Sequence, residues 1–256
     1  MTRHVVVLLA MVLAACGSAP VAVAPTATPT ATPRATPTPT LFVTTTAPSP
    51  TPAAPTKPAI RYAALGASDT VGVGASDPRA GSWPARVAAR LPAGTEYVNL
   101  GVSGSLATQA AREQLPNALA LDPSLVTVWL AVNDLNANVA PADYAVALRS
   151  VVEPLVSRTP ARIFVGNVPD LRTVPAYAGT DQTALIARIN AYNGAIAALA
   201  AVFAGRVTVV DLFTGSGPLV STITVSADGF HPSDAGYALI ADRFVKAIAD
   251  AGIALR

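Results

Sequence analysis

Two residue types raise the question of chemistry first: a serine, Ser68, and a histidine, His231. The 256-residue chain holds only two histidines, His4 and His231. His4 belongs to an apolar leader, so an imidazole base must be His231. It lies in the stretch SADGFHPSDAGYALIADRF, with Asp228 three residues earlier. That spacing lets one turn set a carboxylate against the imidazole Nδ1 while Nε2 faces outward to accept a proton. Ser68 lies in YAALGASDTVGVGAS, and its hydroxyl is a weak nucleophile until a base takes its proton. Gly66-Ala67-Ser68-Asp69-Thr70 is similar to a nucleophile elbow, but Thr70 leaves G-x-S-x-G incomplete. Acyl transfer also needs donors aimed at a developing oxyanion. The candidates are the backbone N–H of Ser68, the backbone N–H of Gly104 in VNLGVSGSLA, and the side-chain amide of Asn133 in WLAVNDLNA.

For these residues to meet, the elements between them must bring them to one edge. Short apolar, β-rich runs predict strands near 60–65, 96–100, 125–131, 162–166 and 207–212. Helical patterns fall between and after them, near 82–91, 105–120 (perturbed by Pro116), 141–157, 181–203 and 233–252. The third and fifth strands read as near-continuous apolar runs, as expected where helices cover both faces of a sheet. Alternating strands and helices predict a three-layer α/β/α domain with a parallel sheet. In such sheets ligands bind beyond the carboxyl ends of the strands. Ser68, Gly101–Ser105, Asn133-Asp134, Asn167 and Asp228–His231 each follow a strand, so the pattern converges on one rim. Pro232, with Ser233 or Asp234 as cap, predicts where the last helix begins.

The stretches around Ser68, Gly104, Asn133 and Asp228/His231, in this order, resemble the conserved blocks of the SGNH hydrolases, also called GDSL esterases/lipases. The resemblance runs over residues 60–250, most specifically VNLGVSGS, VWLAVND and DGFHPSDAGYALIA, with IFVGNVPDL also similar. It implies a flavodoxin-like α/β/α sandwich with a five-stranded parallel sheet, and hydrolysis of carboxylic esters and thioesters, including lipids and acetylated sugars. It further implies Ser68 as nucleophile and oxyanion donor, Gly104 and Asn133 as the other oxyanion donors, His231 as base and Asp228 as its orienter, with no metal or organic cofactor. Two positions depart from the family pattern. Ala67 stands where Gly-Asp-Ser has its aspartate, and Ala131 stands where a glycine precedes the asparagine by two. Asp69, on the other side of the serine, is the group left to supply part of the lost hydrogen bonding.

Three segments follow from composition. Residues 1–16 hold one arginine and an apolar run from Val5 to Ala15, too short to span a bilayer. They end in Leu13-Ala14-Ala15-Cys16, which resembles the lipobox of bacterial lipoproteins and makes Cys16 the expected site of lipidation and membrane anchoring. Cys16 is the only cysteine, which rules out an intrachain disulfide. Residues 17–58 carry eleven of the 23 prolines and twelve threonines, a disordered stalk of extended stretches at about 3.1 Å per residue. Residues 59–256 are the expected catalytic domain. The chain's net charge of +2 includes Arg3, Arg34 and Lys57, which leaves 14 basic against 15 acidic residues in that domain. No basic cluster points to nucleic acid.

The sequence therefore predicts a monomeric serine esterase outside the cytoplasm, acting on a small-molecule, lipid or carbohydrate ester. Few aromatics and no long insertion point to a short-chain acyl or acetyl group, with the loop 168–180 as pocket wall. The rival is a surface-tethered binding or adhesion lipoprotein that keeps the fold with weak or no catalysis. A nucleotide site is disfavoured, since neither Gly72-Val73-Gly74 nor Gly101 with Gly104 completes a phosphate-binding motif.

Overall fold

A computed structural model describes residues 60–256. The expected leader, its Cys16 and the stalk lie outside the described residues. Five parallel strands form the sheet: β1 (Arg61–Gly66), β2 (Glu96–Asn99), β3 (Leu125–Trp129), β4 (Arg162–Gly166) and β5 (Val207–Val210). Their order is β2-β1-β3-β4-β5, all neighbours parallel. The predicted α/β/α class, with its flavodoxin-like sheet, is the observed one.

Strand periodicity sorts the core into two layers. Ala63, Leu65, Val126, Val128, Ile163 and Val165 face one side, with the helices α4 (Ala107–Glu113), α5 (Leu115–Leu121), α7 (Pro141–Arg158) and α8 (Gln182–Val202). Tyr62, Ala64, Trp129 and Phe164 face the other, with α3 (Trp83–Ala88) and α9 (Asp234–Asp250). There Trp83 stacks on Phe244 at 4.2 Å and meets Trp129 edge-on at 6.2 Å. This burial on both faces is why β1 and β3 are apolar at successive positions.

Three short helices were not expected: α1 (Ser68–Val71), α2 (Pro78–Gly81) and α6 (Ala131–Asn136). Each occupies a strand-to-helix connection too short to display a 3.6-residue period. The third strand stops at Trp129 because α6 takes over at Ala131. The expected helix over 105–120 is two helices, α4 and α5, which meet at Gln114 with Pro116 in the first turn of α5. Proline there lacks the N–H that a continuous helix would use. The break leaves Gln114 buried and pointing at the end of β1, as its bonds below record. The last helix begins at Asp234 with Ser233 as cap, its Oγ accepting from Gly236 N–H at 3.3 Å. Pro232 thus precedes the cap instead of opening the helix.

Candidate active site

Ser68 is the first residue of α1, directly beyond β1. The turn between them is tight: a Cβ at Gly66 would lie 2.7 Å from Trp129 O and would collide with the Thr70 side chain. Gln114 holds this turn from below, its Oε1 accepting from Gly66 N–H and its Nε2 donating to Gly66 O, both at 2.9 Å. The same Nε2 donates to Ser105 Oγ at 3.0 Å. Asn99 adds a brace, donating to Thr70 O at 2.7 Å and accepting from Gly101 N–H at 3.0 Å. Neither Gln114 nor Asn99 was singled out from the sequence. The one signal in the sequence was Pro116 two residues on, which marks a helix break at Gln114.

His231 arrives on a hairpin. Val225 and Pro232 form an antiparallel bridge, and Ser226 N–H donates to His231 O at 2.8 Å. Gly229, at φ +73°, makes the turn that only a residue without a Cβ adopts readily. Ala176 N–H fastens the hairpin by donating to Gly229 O at 3.0 Å. Phe230 meets the imidazole edge-on at 4.7 Å. From the other side, Tyr237 of α9 donates to Val73 O at 2.6 Å, and Asp234 accepts from Ser76 N–H at 3.3 Å. These ties join the segment after Ser68 to the segment after His231.

The result is an unbroken line of polar atoms. Ser68 Oγ lies 2.8 Å from His231 Nε2, and His231 Nδ1 lies 2.6 Å from Asp228 Oδ2. A carboxylate only accepts, so Nδ1 carries the proton and Nε2 is left to accept from the serine. The other oxygen, Oδ1, accepts from Ser226 Oγ, Phe230 N–H and His231 N–H at 2.8–2.9 Å. Partial burial pushes the Asp228 carboxyl up. The hydrogen bond from the His231 ring, then those from the two amides and the Ser226 hydroxyl, outweigh it and hold the group well below the usual carboxylate range.

Asn133 lies in α6 and lines the same cleft as Ser68 and His231. One of its amide N–H groups donates to Ser105 O at 3.2 Å, which leaves the second available. Gly104 precedes Ser105 in the loop after β2 and takes φ +78°. A Cβ there would meet open space, so the glycine is required by backbone conformation and not by crowding. Ser68 opens its helix, so its N–H has no carbonyl four residues back. Among the described residues the Gly104 N–H likewise has no hydrogen-bond partner. The structure thus brings Ser68, His231, Asp228 and Asn133 together and sets Gly104 one residue from Asn133's partner. Cys16 lies outside the described residues.

Asp69 accepts from Thr70 N–H at 2.7 Å, within the serine's own turn. Burial pushes its carboxyl up to about 6, against the lowering pull of the Thr70 amide and of His231. Ala67, which stands where the family pattern has its aspartate, is buried. The hydrogen bonding that steadies this turn comes from Gln114 and Asn99, with Asp69 adding its bond from Thr70 N–H.

The cleft holds about 140 Å³. The loop 168–180 supplies one wall through Pro169, Leu171 and Val174, as expected. A second wall, from Ser216 to Val225 and from α9, was not read from the sequence. Among the described residues no three His, Cys, Asp or Glu side chains group as a metal site would require.

A parallel α/β/α sheet in this strand order, with a serine, an imidazole and a carboxylate aligned beyond its strand ends, has the arrangement of a serine hydrolase. The chain belongs to the GDSL-like lipase/acylhydrolase family, whose model matches residues 64–239. No curated protein matches it. Solved structures do. A GDSL-like lipase described as putative, from Parabacteroides merdae, superposes with a TM-score of 0.63 at 19% identity, covering 75% of this chain and 97% of its own. TesA gives 0.61 at 22% identity, with 75% and 99% covered. A catalytic mutant of Axe2, an acetylxylan esterase from Geobacillus stearothermophilus, gives 0.60 at 18% identity, with 75% and 95% covered. At these identities the likeness is one of fold.

Proposed function

We propose that the protein is a serine esterase in which Ser68, His231 and Asp228 act as one unit. The Ser68 hydroxyl passes its proton to His231 Nε2 as its oxygen bonds to the ester carbonyl carbon. The carbonyl oxygen becomes an oxyanion, which the N–H groups of Ser68 and Gly104 and the Asn133 amide stabilise. As the C–O bond to the alcohol breaks, the leaving oxygen takes the proton from His231. Water then repeats the sequence on the acyl-Ser68, with His231 as base, and releases the carboxylic acid. Asp228 holds the Nδ1–H tautomer throughout and stabilises the imidazolium.

The observation that carries this reading is the line from Ser68 Oγ through His231 to Asp228, at 2.8 and 2.6 Å. A pure binding module has no use for an imidazole aligned between a hydroxyl and a carboxylate. The test is turnover of p-nitrophenyl esters by the protein and by Ser68→Ala and His231→Ala. Each variant should lower kcat by about 10³- to 10⁶-fold, and the double variant by no more than the worse single. Small or additive losses sink the assignment.

We propose separately that the enzyme acts outside the cytoplasm, anchored through a lipidated Cys16 and held off the membrane by a stalk of residues 17–58. What supports it is the leader ending in Leu13-Ala14-Ala15-Cys16 and the proline and threonine content that follows. Cys16→Ser should move the protein from the membrane fraction to the soluble one. Unchanged fractionation would leave a plain secreted enzyme.

A further inference from the structure

We infer that the group this enzyme holds on Ser68 is an unbranched aliphatic acyl chain of about six carbons and not the acetyl group of a sugar ester. The inference rests on the reading of Ser68 as nucleophile and deepens it.

Beyond Ser68, Asp69, Asn133 and His231, the cleft is walled mainly by aliphatic side chains, among them Leu171, Val174, Leu212, Val220, Leu239 and Ile240. The polar side chains farther along it are already engaged inside the protein. Asp170 pairs with Arg172 through two contacts of 2.9 and 2.8 Å. Ser216 Oγ donates to Phe213 O at 2.8 Å and accepts from Asp170 N–H at 2.9 Å. Thr224 Oγ1 donates to Leu219 O at 2.7 Å and accepts from Ser221 N–H at 2.9 Å. Arg243 donates to Asp211 O at 2.7 Å and to Thr214 O at 2.8 Å.

A sugar brings a hydroxyl on nearly every carbon. Burying those groups against a wall that is mainly aliphatic, and whose few polar side chains already hold partners within the protein, is unfavourable, whereas methylenes gain from leaving water. Size sets the length. An apolar cavity of about 150 Å³ takes benzene, six carbons, and this cleft holds about 140 Å³. The acyl half is assigned to it because the alcohol departs after the first half-reaction. The acyl group must stay beside Ser68 while water enters.

The experiment is a p-nitrophenyl ester series from acetate to palmitate, run on the whole protein. kcat/KM should rise about fourfold per methylene to hexanoate, about 250-fold over the four methylenes, and then level or fall. Val220→Phe, which narrows the cleft from a partly exposed loop, should lower the hexanoate value at least tenfold more than it lowers the acetate value. Product inhibition supplies a second reading that needs no variant: hexanoate should inhibit at least tenfold more tightly than acetate. A profile flat or falling from acetate overturns the inference while Ser68 stands. So does an equal loss on both esters in Val220→Phe, equal inhibition by both acids, or faster deacetylation of acetylated xylo-oligosaccharides than hexanoate turnover. A series of alkyl acetates whose rates climb more steeply with alcohol length would also overturn it. No turnover of any ester would remove the nucleophile reading along with it.

Discussion

Ser68 and His231, 163 residues apart in the chain, stand 2.8 Å apart from Oγ to Nε2. The contact exists because β1 and the hairpin before α9 end on the same rim, and because Tyr237 and Asp234 tie the loop after Ser68 to that hairpin.

The carboxylate behind the imidazole can be neutralised without emptying its place. Asp228→Asn keeps an oxygen able to accept from the Phe230 and His231 amides, yet it can present an N–H to Nδ1 and favour the wrong tautomer. kcat should fall by about 10⁴-fold with little change in KM, and the melting temperature should change little. Steady-state kinetics beside thermal unfolding separate the two effects.

Gln114 pairs both backbone groups of Gly66. Gln114→Leu leaves a buried N–H and C=O with fewer partners, a cost of about 1–3 kcal/mol for each group left unsatisfied, visible in urea unfolding. It also loosens the turn that presents Ser68. A misplacement of about 1 Å costs on the order of 10²-fold in rate, so kcat should fall more than KM rises.

Restoring the family aspartate should not help. Ala67→Asp introduces a second carboxyl into a buried position next to Asp69, whose own carboxyl is already pushed up by burial. Stability should drop by about 1–3 kcal/mol without a gain in kcat. Ala67→Asp combined with Asp69→Leu should recover part of the lost stability. Denaturant midpoints of the three variants check both statements.

Stability should fall as pH rises from about 4 to about 6. Burial raises the carboxyls of Asp69 and Asp134 to about 6, so the folded state binds more protons than the unfolded state across that window. Their stabilising effect is complete below the ordinary carboxylate value and is lost as pH climbs through about 6. Asp228, Asp170 and Asp211 are shifted the other way and lose stability on acidification below the ordinary value. A melting-temperature profile should therefore peak near the ordinary carboxylate value, at about pH 4. Asp134→Asn should flatten the fall on its alkaline side, by on the order of 1–3 kcal/mol. Asparagine still accepts the Ala107 N–H that Asp134 holds at 3.0 Å.

Most of the sheet was legible because burial on both faces writes itself as apolar runs, as at Leu125–Trp129. The site's outline was legible for a different reason: a single histidine outside the leader left few partners for Ser68. What escaped reading had no period. Gln114 looks like any helical glutamine until Pro116 breaks the helix and turns it to Gly66. The wall from Ser216 to Val225 is a run of turns and one short 3-10 helix, Gly217–Leu219, whose apolar side chains follow no repeat. Ser68 and Asn133 sit on helices of four and six residues, below the length at which a helical face can be recognised.

The hairpin from Val225 to Pro232 carries the acid and the base on one short, internally bonded piece of chain. Of the two distances the chemistry depends on, the one between Asp228 and His231 is set locally and survives any movement of the hairpin as a whole. Only the gap to Ser68 depends on how distant parts of the molecule dock. Whatever shifts that hairpin, a bulky group in the cleft or slack in the anchor at Ala176, acts as a clutch: it disengages the hydroxyl and leaves the hydrogen bond between imidazole and carboxylate intact.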